Sequence, residues 1–159
     1  MIPILKSIHV LALALWVGGM AFMTFVAAPS IFKVLPREPA GDVVGDIFPK
    51  YFTLGYVYCL LAILTAVGVY LKEDYWNKPK LLVLGLMFIL TFYDGLVVAP
   101  RAHAVRAEMK KAEQEEQEEQ KKALWGEFVR LHSQSAAINI IVLGLGIAVV
   151  VTTAYFMRV

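Results

Sequence analysis

The sequence predicts an all-α integral membrane protein, a four-helix bundle forming a single transmembrane domain over residues 1–159. Three observations carry that expectation. The composition is 59% hydrophobic with a mean hydropathy of +0.66, against about 45–50% apolar residues in ordinary soluble domains. Four apolar stretches, at about 4–28, 52–71, 81–99 and 135–156, come close to the roughly 20 helical residues needed to cross hydrocarbon. Those stretches are continuous rather than alternating, which excludes a barrel, the other architecture that pairs every backbone group in lipid.

The first span carries "ILKSIHVLALALWVGGMAF" and is closed by Pro29. Its apolar run, 8–28, exceeds the roughly 7–15 residues of a secretory signal core, so it reads as an uncleaved span. A short amphipathic helix is expected at about 40–48. There Val43, Val44, Ile47 and Phe48 recur at helical spacing opposite Asp42 and Asp46, between Pro39 and Pro49. That pattern fits a helix lying in the interface. After the second span, "KEDYWNKPK" is a short polar connection with Tyr75 and Trp76 as interfacial aromatics. The third span is ended by Pro100. The third span is expected to continue as a helix into solvent, so that residues 101–131 form a helical hairpin outside the membrane, turning near Gly126 into the fourth span. Its "RAEMKKAEQEEQEEQKKALW" has no apolar stripe, and Glu118 and Lys122 stand four apart in the stabilising order.

Charge and cysteine content narrow the classes. The net charge is +2 with the basic residues spread over loops, so the concentrated basic stripe of a nucleic-acid binder is absent. Cys59 is the single cysteine, which rules out an intrachain disulfide. Ten Lys and Arg fall on the side of the first and third connections and five on the other. The positive-inside rule then puts both termini outside and the charged hairpin in the cytoplasm, as in a bacterial-type inner membrane.

Helix rise gives each intramembrane polar residue a depth. His9 lies roughly 7 Å below the outer end of the first span. Trp16, seven residues on, faces the same way, with Met20 and Met23 continuing the stripe. The remaining polar groups gather in the inner third. Asp94 sits near the inner end of the third span, and His132, Ser135 and Asn139 share one face at the start of the fourth. Tyr56 and Cys59 enter the same layer from the second span. A buried carboxylate should pair, and His132 and Arg101 are in reach by depth. His9 and His132 lie roughly 20 Å apart along the membrane normal, so they cannot both be axial ligands of one haem.

The string "HVLALALWVGGMAFMTFVAAPSIFKVLPREPAGDVVGDIFPKYF" resembles the front half of the transmembrane protein 205-like family, a domain of unknown function in small four-helix membrane proteins. The shared features are His9, "TFV" from Thr24, "FKVLPR" from Phe32 and "IFPKYF" from Ile47. Pro100–Arg101 and "FVRLHSQSAAIN" from Phe128 resemble its back half. A second resemblance is confined to the first span. His9, Trp16 and the Gly18–Gly19 pair are similar to the opening helix of the haem-b-binding membrane protoporphyrinogen oxidase family and of the copper-resistance D family. That resemblance implies His9 as an axial haem ligand, and Lys80 is at a plausible depth for the lysine proposed as its companion.

Three functional readings follow. In the first, the chain binds haem b through His9, with Trp16, Lys80 and Arg101 in the cofactor environment, for electron transfer or sensing; His9 is also the candidate metal ligand. In the second, Asp94, His132, Ser135 and Asn139 form an ion, metal or small-solute site for transport or resistance. In the third, the chain is a scaffold whose hairpin recruits a cytoplasmic protein. No phosphate-cradling loop, CxxC, HExxH or GxSxG occurs, so enzymatic activity would be haem-dependent oxidoreductase chemistry. The lipid bilayer is the implied partner, a homo-oligomer is open to such a chain, and no nucleic acid is expected.

Overall fold

A bilayer interior offers the backbone no hydrogen-bond partner, so a chain this apolar must satisfy its peptide groups within its own helices. The computed structural model describes residues 2–72 and 78–156, and among them every long element is helical. Four helices are long and apolar enough to cross a membrane: α1 (Ile2–Val34), α2 (Arg37–Tyr70), α3 (Pro79–Gln114) and α4 (Glu118–Tyr155). Tyr75 and Trp76, assigned above to interfacial roles, lie outside the described residues, as does Arg158, one of the five basic residues counted on the outer side.

α1 packs on α2 and α4, and α3 packs on α2 and α4, so each helix touches its neighbours in the chain and the last closes the ring on the first. Small and apolar side chains fill the centre, with Cys59, Ala62, Ala66, Leu84 and Met87 fully buried. The outer surface is also apolar: Leu11, Leu60, Leu82, Ile89, Leu96 and Ile147 are each at least half exposed. Such a surface is costly in water and is solvated by lipid tails.

The helices contain 33 to 38 residues, roughly 50–57 Å at the α-helical rise, well beyond the ~30 Å of hydrocarbon. The excess projects at the hairpin end and carries the charges. There Lys110 Nζ donates to both carboxylate oxygens of Asp42 at 2.8 and 2.9 Å, and Arg106 Nη2 reaches Asp42 Oδ1 at 3.1 Å. The Lys110 ammonium and then the Arg106 guanidinium hold the Asp42 carboxyl below the usual carboxylate range. Arg106 also donates to the Glu38 carbonyl at 2.8 Å.

The third span continues as a helix past Pro100 to Gln114, as expected. Three expected boundaries shift. Pro29 does not end its helix, which continues to Val34. The 40–48 segment is helical but forms the first turns of α2, with Pro49 inside the helix; one proline removes only its own bond to the carbonyl four residues back. The hairpin turns at Glu115–Gln117 instead of near Gly126. Glu116 takes φ 57°, and Gln117 N–H bonds the Ala112 carbonyl at 2.9 Å, the closing bond of a Schellman-type cap. Lys121 pairs across that turn with Glu113 at 2.7 Å, and Val105, Ala112 and Leu131 give the hairpin a buried seam that its charge-rich sequence hides.

The Gly18–Gly19 pair is not a helix contact, since a Cβ at either position would meet nothing within 4 Å. Close approach occurs at Gly146, where a Cβ would stand 2.7 Å from Val17 Cγ2 and 3.2 Å from Met87 Cε. Val17 is β-branched and has little rotamer freedom to yield. Gly146→Ala is therefore expected to destabilise by about 1–3 kcal/mol through overpacking, while Gly18→Ala is neutral or slightly stabilising. Thermal unfolding of the two variants in the same detergent checks the contrast.

Candidate functional site

Pro29 and Pro100 lack an N–H, and a proline ring crowds the carbonyl four residues before it. The turn ahead of each proline widens. Ala28 N–H bonds the Met23 carbonyl and Ala99 N–H the Asp94 carbonyl, giving π turns at Met23–Ala27 and Asp94–Val98. Single π turns inside α-helices are rare and often sit at functional sites. α1 and α3 run the same way through the bundle, and the two widened turns lie within one helical turn of each other in depth. Their partners on α4, Asn139 and Ser135, are four residues apart.

All four helices contribute a polar side chain to this layer. Tyr51 Oη on α2 donates to Asn139 Oδ1 at 2.7 Å, and Asn139 Nδ2 donates to Thr24 Oγ1 on α1 at 2.7 Å. Ser135 Oγ donates to Asp94 Oδ2 on α3 at 3.1 Å. Asp94 is only 3% exposed, and its Oδ1, like the Tyr56 hydroxyl, has no hydrogen-bond partner among the described residues. Tyr56 stacks near Phe92 with ring centroids 4.4 Å apart. Its hydroxyl lies over Gly95, where a Cβ would collide with it and with the Phe52 ring.

A cavity of about 80 Å³ opens beside Asp94, lined among others by Trp16, Tyr51, Gly55, Tyr58, Thr91 and Asn139. Asp94, Ser135 and Asn139 thus come together as their spacing suggested, and Trp16 joins them across the cavity. The other candidates lie elsewhere. His132 is exposed and stacks on Phe128 at 5.8 Å. Arg101 is exposed and donates through Nε and Nη2 to Glu127 Oε1 at 3.1 and 2.8 Å, so neither is the partner of Asp94. Cys59 is fully buried in the core.

His9 is a separate place in the fold. It is fully buried between α1 and α2, with Nδ1 3.0 Å from the Ala62 carbonyl and 3.1 Å from Thr65 Oγ1. A carbonyl only accepts, so Nδ1 carries the proton. Lys80 is half-buried and within electrostatic reach of His9. Among the described residues no three His, Cys, Asp or Glu side chains converge as a metal site would require. Sequence reasoning missed Thr24, Tyr51 and Thr91. A hydroxyl each on α1 and α2 at the depth of Asn139 was the available signal.

Residues 11–111 match a family model described as a domain of unknown function, DUF4149. The chain belongs to this family. The DUF4149 match takes in Trp16, Thr24, Tyr51 and Asp94 and stops before Ser135 and Asn139. An uncharacterized protein of Aquifex aeolicus (strain VF5) is 36% identical over 101 residues, covering 61% of this chain and 70% of that protein. No solved structure matches the chain.

The bridge through Asn139 generates a stability prediction. Interhelical hydrogen bonds in membrane bundles average about 0.6 kcal/mol each, so Asn139→Leu, which removes two, is expected to cost about 1 kcal/mol. Ser135→Ala removes one and should cost about half as much. Reversible unfolding in mixed micelles measures both.

Proposed function

We propose that this DUF4149 protein binds a small polar or charged solute in the Asp94 cavity, inside the bilayer, and carries it across the membrane. The observation that supports this most is a buried carboxylate, one oxygen of which has no hydrogen-bond partner among the described residues, in the lining of a cavity to which all four helices contribute. A carboxylate at membrane depth is expensive, and those retained mark solute and ion paths. Ser135 accounts for one oxygen only. The proline-widened turns place breaks in helix geometry beside the cavity, where two of the four helices can bend. The excess of Lys and Arg at the hairpin end supports a cytoplasmic hairpin under the positive-inside rule, with the cavity then in the inner half of the membrane.

In proteoliposomes loaded with a pH- or cation-sensitive dye, the wild-type chain is expected to dissipate a solute gradient. Asp94→Asn, which keeps shape and removes charge, should lower the rate about tenfold or more. His132→Ala and Arg101→Ala should leave it unchanged, since both side chains lie outside the cavity. Equal rates for wild type and Asp94→Asn would remove the proposal.

A second reading, haem b ligated by His9, has one observation in its favour. The Nδ1–H bond to the Ala62 carbonyl leaves Nε2 as the nitrogen with a lone pair, the usual arrangement in which a second partner orients a ligating imidazole. The fit is poor in other respects. His9 is fully buried against Ala62 and Thr65, which are buried as well, and the cavity lining includes Trp16 but not His9. A macrocycle at His9 would require α1 and α2 to part. Haemin added to the detergent-purified protein is therefore expected to give no His9-dependent Soret band. A sharp band lost in His9→Ala would restore the haem reading.

A further inference from the structure

We propose that the solute taken by the Asp94 cavity is a small organic cation, an alkylammonium of a few heavy atoms, with Asp94 as its counter-ion and Trp16, Tyr51 and Tyr58 as its walls. This rests on the reading of the cavity as a solute site and adds the chemical class.

The lining decides the class. Among the described residues lining the cavity, Asp94 is the one with a charged side chain. The lysines, arginines and histidines of the described residues stand elsewhere, so the field inside is negative. An anion is therefore excluded on charge. A hard inorganic cation needs a shell of oxygens, six to eight for calcium for instance, and this lining is mostly rings and aliphatic carbon. Of its oxygen-bearing side chains, Tyr51 and Asn139 are already committed to each other at 2.7 Å. What remains is the Asp94 carboxylate with the hydroxyls of Tyr58 and Thr91, too few oxygens for such a shell. They stand beside aromatic faces, and a carboxylate with aromatic faces is the combination that recognises ammonium groups through charge and ring quadrupole together. The Trp16 indole nitrogen lies 3.7 Å from where a Cβ on Gly55 would stand, so that ring lies against α2 at the cavity wall. Size fits as well: at roughly 10–15 Å³ of such volume per water-sized group, 80 Å³ takes a cation the size of tetramethylammonium.

The test is calorimetric titration of the full chain, purified in an uncharged maltoside, with tetramethylammonium, with its neutral near-isostere tert-butanol, and with sodium and potassium. Tetramethylammonium is expected to bind at least about tenfold more tightly than tert-butanol, a difference of about 1.4 kcal/mol. Asp94→Asn should abolish that preference, Asp94→Glu should retain part of it, and Trp16→Leu should weaken ammonium binding several-fold. Monodisperse elution of each variant separates lost binding from lost folding. If sodium or potassium binds in an Asp94-dependent way and tetramethylammonium does not, the organic-cation proposal is overturned and the solute-site reading stands. If no cation binds and the proteoliposomes carry none, both fall.

Discussion

The amide of Asn139 accepts from Tyr51 and donates to Thr24, holding α1, α2 and α4 together at one depth. Most of the remaining contact between these helices is apolar, and apolar side chains gain little from each other over what lipid tails already offer. Sliding one helix by a turn would therefore change the packing energy modestly, but it would strand an amide and two hydroxyls in hydrocarbon. The register of the bundle depends on that penalty. Ser135, one turn away on α4, extends the same tie to α3 through Asp94.

The widened turns give this layer its shape. α1 and α3 each carry a π turn two residues ahead of a proline, and these helices occupy opposite corners of the ring. The chain thus consists of two successive helical pairs, each with its bulge on the first member. At Asp94–Val98 the extra residue and the bare Gly95 backbone let Tyr56 and Phe52 close in from α2. Aromatic rings are brought to a carboxylate that would otherwise be wrapped by aliphatic side chains. His9, by contrast, is held by a carbonyl and a hydroxyl in close-packed surroundings, an arrangement that fixes the α1–α2 pair.

Much of the fold was legible because membrane crossing requires long apolar runs, and the four runs are the four helices. The grouping of Asp94, Ser135 and Asn139 was legible from helical spacing and depth. His132 satisfies the same angular arithmetic and still faces outward, because the periodicity of α4 says nothing about which neighbour stands opposite one turn further on. Tyr51 went unseen because it lies just before an apolar run and reads as an interface residue until α2 is known to begin at Arg37. Pro29 misled in a physical way: a missing N–H marks a lost bond, and only the neighbouring turn reveals whether the helix absorbs it. The hairpin turn left no trace in "AEQEEQEEQKK", which contains no Gly, Pro or Asn, since Glu116 adopts the left-handed conformation itself.

The cyclic order of the helices bears on how the protein is made. A chain inserted from its N-terminus can pair α1 with α2 as soon as both are in the bilayer, because consecutive helices are direct neighbours. Thr24 and Tyr51 then sit opposite each other with the amide between them still in the ribosome. Only the arrival of α4 completes the polar layer and gives Asp94 its serine. Until that moment the half-built bundle exposes its least lipid-compatible groups, and the entry of the fourth helix is the step at which it becomes self-consistent.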